Sequence, residues 1–211
     1  MKSILAYNYN LNNPKIYKIN NKIYVKDDKN SKIVQKNKWK QLWINKVDKI
    51  EKFIIEDKSI IELNSYYLGM AETAICYLNN NKDKIEEKQI SICRIRINDN
   101  EYRNNNNIIL DYKERDYAEY LKYLFFSNKE NEAINFIKRI NFKKYNKILI
   151  YSRLLFPTYY FDIIENQVIN NKIVKEQIDY IRNCINKYEV FLEKVSIILF
   201  GKSEIKWINK K

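Results

Sequence analysis

Apolar residues recur along this chain with two periods, and the change of period divides it. Over residues 1–36 the alternation is that of short strands. Ile16-Tyr17-Lys18-Ile19 and Lys22-Ile23-Tyr24-Val25-Lys26 flank the dipeptide Asn20-Asn21, which is a hairpin pattern. Asp27-Asp28-Lys29-Asn30 predicts a second turn, and Ile33-Val34 a third strand. From Asn37, a candidate N-cap, the period turns helical: Trp43, Val47, Ile50 and Ile54 follow one another at spacings of four, three and four. A second helix is predicted over about residues 65–78. Gly69 lies inside it at a cost of about 1 kcal/mol against alanine, and close packing against a neighbouring element would account for it.

Residues 81–88 read as a charged connector. Ile90 to Ile97 reads as a strand with Cys93, Ile95 and Ile97 on one face and Arg94 and Arg96 on the other. After a loop containing Asn104 to Asn107, Ile108-Ile109-Leu110 reads as its partner strand, ending at Asp111. The rest is helical. One helix is predicted from Arg115 to Phe126. Ser127-Asn128-Lys129-Glu130 has the form of a capping box opening the next, which runs to about Ile140. Lys147 to about Val168 follows, with Pro157 imposing a kink or a break. The last helix spans Lys172 to Phe200. Its apolar positions Val174, Ile178, Ile181, Ile185, Tyr188, Leu192, Val195 and Leu199 alternate spacings of four and three, and Gly201 ends it. That stripe fits a coiled-coil seam, but packing within the helical domain is the preferred meaning, because the neighbouring helices need a partner. The predicted class is α+β and helix-dominated: a small β region over 1–36, then a helical body over 37–211, forming one structural unit.

Composition removes several chemistries. The sequence contains no histidine, so the usual general base, proton shuttle and commonest metal ligand are missing. Its two glycines, Gly69 and Gly201, cannot build a glycine-rich phosphate loop. Cys76, Cys93 and Cys184 lack metal-ligand spacing and read as reduced core thiols of a cytoplasmic protein. Apolar runs such as Ile197 to Phe200 fall far short of the roughly 20 residues that span a bilayer. The segment Met1 to Ala6 turns polar too early for a signal peptide. The formal charge of +13 raises nucleic-acid binding as an alternative. The lysines, however, are spread along the chain among acids, as on a solvated surface. The arginines are not: all seven lie between Arg94 and Arg182, and Arg94, Arg96, Arg103 and Arg115 fall in one short stretch.

Three segments carry a resemblance: Tyr66-Tyr67-Leu68-Gly69-Met70-Ala71-Glu72-Thr73-Ala74-Ile75, Asp111 to Lys122, and Arg153-Leu154-Leu155-Phe156-Pro157-Thr158-Tyr159-Tyr160-Phe161. Over about residues 38–200 the chain resembles the C-terminal lobe of the aminoglycoside phosphotransferase and choline kinase type of kinase-like fold. Within it, the chain is most similar to the CotS/YutH spore-coat-associated branch of spore-forming Firmicutes. The resemblance implies a reduced kinase-like fold whose residues 1–36 are a vestigial N-terminal lobe.

It also implies where the catalytic parts would lie. The His-x-Asp motif of active relatives falls on Arg94-Ile95-Arg96, where a cation stands in place of the proton acceptor. The metal-binding asparagine would lie among Asn104 to Asn107, and Asp111 takes the place of the metal aspartate. No glycine-rich cover precedes the first helix, and either Lys26 or Lys32 could stand for the strand lysine. The resemblance therefore implies a pseudokinase without cofactor or metal, bound to protein partners such as other coat proteins. Asp111 is expected to be held by Arg96 or Arg115, as a structural ion pair. Alternatively Arg94, Arg96 and Arg115 form a site for a phosphate or an acidic partner segment. Asp116 is explained by its place near a helix N-terminus. Tyr159-Tyr160-Phe161 suits either the core or a contact surface. A residual phosphotransferase would need Asp99 or Glu101 beside Asp111 to hold magnesium.

Overall fold

The computed structural model describes residues 16–19, 22–25, 39–53, 57–85, 90–94, 97, 108–142, 146–170 and 175–205. The expected third strand, the Asn37 cap, Ile54, Arg96, Asn104 to Asn107 and Val174 lie outside these. Two antiparallel hairpins, seven α-helices and a short 3-10 helix (Lys82–Lys84) make up the described part, a helix-dominated α+β architecture as expected. The first hairpin joins β1 (Ile16–Ile19) to β2 (Lys22–Val25) in the register Ile16↔Val25 to Ile19↔Lys22. The second joins β3 (Ile90–Arg94) to β4 (Ile108–Tyr112), with Arg94 opposite Ile108 and Ser91 opposite Asp111.

The helices are α1 (Trp39–Glu51), α2 (Lys58–Asn80), α3 (Glu114–Phe126), α4 (Glu130–Lys138), α5 (Lys147–Leu155), α6 (Thr158–Asn170) and α7 (Lys175–Phe200). At the centre α5 packs against α2, α3 and α7. Every described α5 residue from Leu149 to Leu155 is buried. Asn146 starts this helix by accepting the Ile148 and Leu149 amides at 2.9 and 3.3 Å. The Phe156-Pro157 step then breaks the chain into α5 and α6, so the proline acts as a stop and not as a kink. Among the described residues, no helix is long and apolar enough to cross a membrane.

The stripe on α7 is spent inside the protein: Ile178, Ile181, Tyr188, Leu192, Val195 and Leu199 are buried against α4 and α5. Each such side chain contributes about 1.5–3 kcal/mol through removal from water. Gly201, at φ 74°, closes the helix with its amide on the Ile197 carbonyl at 2.8 Å. The core is rich in tyrosine, and several of its hydroxyls are placed on acceptors: Tyr188 on the Leu154 carbonyl (2.8 Å), Tyr66 on Glu189 (2.9 Å), Tyr160 on Asn64 (3.1 Å). Tyr160 and Phe161 belong to this core, whereas Tyr159 is 41% exposed and stacks on Phe126.

Four expectations need correction. α2 begins at Lys58, seven residues before the predicted start, because Ile60 and Leu63 extend its buried stripe toward the N-terminus. The segment Ser127 to Glu130 is no capping box. It closes α3 instead: Asn128 sits at φ 58°, its amide bonds the Phe125 carbonyl (2.9 Å), and the Lys129 amide bonds that of Leu124 (2.8 Å). This pair of bonds around a left-handed residue is the Schellman arrangement, in which asparagine substitutes for glycine. Cys76 is exposed, so only Cys93 and Cys184 are core thiols. Finally, Gly69 is exposed, and a Cβ added there would meet nothing within 4 Å. Close packing does not account for it. Gly69→Ala is therefore expected to stabilise the protein by about 1 kcal/mol, read as a higher urea midpoint at unchanged slope. A loss of stability would show a hidden contact.

Candidate functional site: a sealed carboxylate under Trp39

The site is built where β4 turns into α3. β4 ends at Tyr112, Lys113 makes a single turn, and α3 begins with Glu114 and Asp116 in its first turn, where the positive helix end favours acids. Asp116 does more than sit by that dipole. It accepts the Arg94 backbone amide at 2.8 Å and the Lys113 ammonium at 2.8 Å, tying β3 to α3. Glu114, buried, receives the Asn146 amide at 2.8 Å and so joins α3 to the start of α5. Cys93 is also held here, its thiol donating to the Tyr112 carbonyl at 3.3 Å. Burial pushes that thiol well above its usual range, and Asp116 adds to the effect.

Asp111 is 2% exposed and surrounded by donors. The Trp39 indole N–H reaches its two oxygens at 2.8 and 2.9 Å. The Tyr112 amide donates to Oδ1 at 2.8 Å, and one Arg115 nitrogen to Oδ2 at 3.2 Å. A carboxylate offers about four lone-pair sites, and protein groups already converge on them. Arg115 also donates through Nε to the Arg94 carbonyl at 3.1 Å. The structure thus brings Arg94, Asp111 and Arg115 together, Arg94 by its backbone and Arg115 by its side chain. Arg94 is buried although it lies on the opposite strand face from buried Cys93, so both faces of β3 are covered here. Arg96, Asp99, Glu101, Lys26 and Lys32 lie outside the described residues. Among the described residues, no group of three or more acids and cysteines is clustered as metal ligands would be.

A second layer continues from the first. Trp39 stacks on Trp43 (5.6 Å between centroids) and Trp43 on Phe156 (4.5 Å). The Arg153 guanidinium lies over both indoles, 5.4 Å from Trp39 and 5.9 Å from Trp43, and its Nε donates to Glu119 at 2.7 Å. Lys122 then bridges to the α5–α6 break, donating to the Phe156 carbonyl (2.7 Å) and the Thr158 hydroxyl (2.8 Å). One carboxylate, Glu119, is shared among Arg153, Lys122 and the field of Arg115. Burial alone would raise its pKa, but these three cations hold it down at about 2. Lys122 is lowered as well, to about 8, because burial and the two arginines outweigh the pull of Glu119.

Trp39, Glu119, Lys122 and Arg153 were missed in the sequence. A partial signal exists: Arg115, Glu119 and Lys122 recur at spacings of four and three, placing charges on the face of α3 that also carries Ala118 and Phe125. Charges inside an apolar stripe are buried charges, and buried charges require partners. Nothing comparable marks Trp39, whose partner is 72 positions away.

A hairpin carrying one sealed acid with an arginine beside it, set on a helical body, defines a helix-dominated α+β class. The chain belongs to the family described as "Spore coat putative kinase YutH", whose model matches residues 21–195. It is 28% identical over 208 aligned positions to the endospore coat-associated protein YutH of Bacillus subtilis (strain 168), an alignment covering 82% of this chain and 61% of that protein. The chain thus spans about three-fifths of the length of that relative. No solved structure matches.

The Glu119 centre makes a prediction in acid. A carboxyl lowered in the folded state stabilises the protein above its unfolded pKa and stops doing so as pH falls through the folded value. Between pH 4.5 and about 2, protonation of Glu119 should therefore cost about 3 kcal/mol of stability. Glu119→Gln should destabilise the protein at neutral pH by about 3–5 kcal/mol, because Arg153 is left buried without its counter-charge. It should also flatten stability over that acid window, as read from urea unfolding at a series of pH values. An unchanged acid slope in the variant would contradict the assignment.

Proposed function

We propose that this chain is a catalytically inactive kinase-like protein that acts in the spore coat by binding protein partners. One observation carries the inactive half of the reading. The carboxylate at the metal-aspartate position, Asp111, is 2% exposed and takes its hydrogen bonds from Trp39, Tyr112 and Arg115. Magnesium requires near-octahedral oxygen ligation. To bind here it would have to expel the indole and then sit beside a fixed guanidinium, whose charge opposes it. At the His-x-Asp position, Arg94 and Arg96 lack any group able to accept a proton from an alcohol. The reading therefore calls for no cofactor.

The coat half rests on the family and on the relative in Bacillus subtilis, which is described as endospore coat-associated. Of the cationic set Arg94, Arg96 and Arg115 proposed to meet an anion or an acidic partner segment, Arg115 is assigned first to Asp111 and to the turn from hairpin to helix.

Two measurements separate this reading from a working phosphotransferase. With magnesium and ATP in excess, no thermal shift is expected. A nucleotide bound at a hundred times its dissociation constant would add roughly 2.7 kcal/mol and move the midpoint by several degrees. Asp111→Asn is expected to cost about 3 kcal/mol of stability, since it strips the counter-ion from a buried arginine. A metal-binding aspartate of an active site would tolerate that change with its stability intact. For the coat assignment, a tagged copy should be recovered in the coat extract of mature spores; its absence there would overturn that half alone.

A further inference from the structure

Beside the sealed carboxylate lies a half-open cleft of about 610 Å³. Among the described residues its floor is apolar and includes Trp39 at the start of α1, Tyr112 at the end of β4 and Leu149 on α5, all buried. Its rim is polar and exposed: Lys40 on α1, Asn79 near the end of α2, and Lys82 and Asp83 in the turn that follows. Lys40 donates to Asn79 at 2.9 Å, which draws the ends of the two helices together across the rim.

We propose that this cleft binds a small organic anion with a flat apolar body, such as an aromatic carboxylate, sulfonate or phosphate. Its volume lies within the range of about 300–1,000 Å³ usual for small-molecule sites, and the apolar floor with a few polar groups at the edge is the usual division of labour in one. Among the described residues the rim opposes two ammonium groups to one carboxylate, on a chain of formal charge +13, so an anion is favoured over a cation. Tyr112 and the Trp39 ring offer the surfaces against which a planar ligand rests.

Asp111 does not line the cleft. Trp39 points its N–H at that carboxylate, so its ring forms the wall between the two. Binding here requires no metal, and it stands or falls independently of the coat partner.

The test is a fluorescence titration of the folded chain with anilinonaphthalene sulfonate, an aromatic sulfonate that brightens in apolar sites. One saturable site is expected, insensitive to magnesium. Asn79→Trp, which fills the mouth, should abolish it. The pair Lys40→Glu and Lys82→Glu should weaken it about tenfold, while the same charge change at two exposed α7 lysines, Lys175→Glu with Lys187→Glu, should leave it within about twofold. Circular dichroism of each variant checks its fold; should Asn79→Trp not fold, the two lysine pairs decide. Absence of saturable binding, a dependence on magnesium, indifference to the rim substitutions, or equal weakening by the α7 pair would each overturn the proposal.

Discussion

The hydrogen bonds from the Trp39 indole to the Asp111 carboxylate organise the rest of the structure. An ionised carboxylate taken out of water loses its hydration and has to recover it from protein donors. Trp39 adds its indole N–H to the donors from Tyr112 and Arg115, and in doing so it fixes the start of α1 against the β3–β4 hairpin. Arg115 brings the compensating charge from the first turn of α3. Removing any one of the three takes a hydrogen bond from a buried charged group, so the arrangement is cooperative.

The same logic extends outward. Arg153 is held by the faces of Trp39 and Trp43 and by Glu119, and Lys122 fastens Glu119 to the break between α5 and α6. Four helices and one hairpin therefore meet through a continuous chain of charges and rings. Tyrosine continues the pattern beyond it, with rings that fill space and hydroxyls that satisfy carbonyls and carboxylates on α3, α5 and α7. Such a core trades some ease of packing for directional bonds that accept one arrangement of the helices. A carboxylate that holds a metal ion has to stay open to it. Here the network closes over it.

Much of the architecture was legible because it depends on local periodicity. The two hairpins, α3, the break at Pro157 and the stripe of α7 all follow from spacing and from proline or glycine at element ends. The misreadings arose where two local rules compete. Ser127 to Glu130 satisfies the capping-box pattern, yet the left-handed Asn128 makes it the end of α3. Gly69 looked like a packing glycine, and only three-dimensional exposure shows otherwise. Asp111 and Arg115 could be found from spacing and resemblance. Trp39 and Arg153 could not, because their roles exist only through contacts across the fold. Long-range partners of buried charges are the part of a site that a single sequence conceals.

The most direct measurement is the Trp39 indole N–H resonance in a nitrogen-15-labelled sample, assigned by Trp39→Phe, followed during hydrogen exchange and magnesium titration. The expected result is an indole proton that exchanges only through global unfolding and a resonance that does not move when millimolar magnesium is added. Rapid exchange, or a saturable shift caused by the metal, would mean that the Asp111 carboxylate is open and the closure described above is wrong.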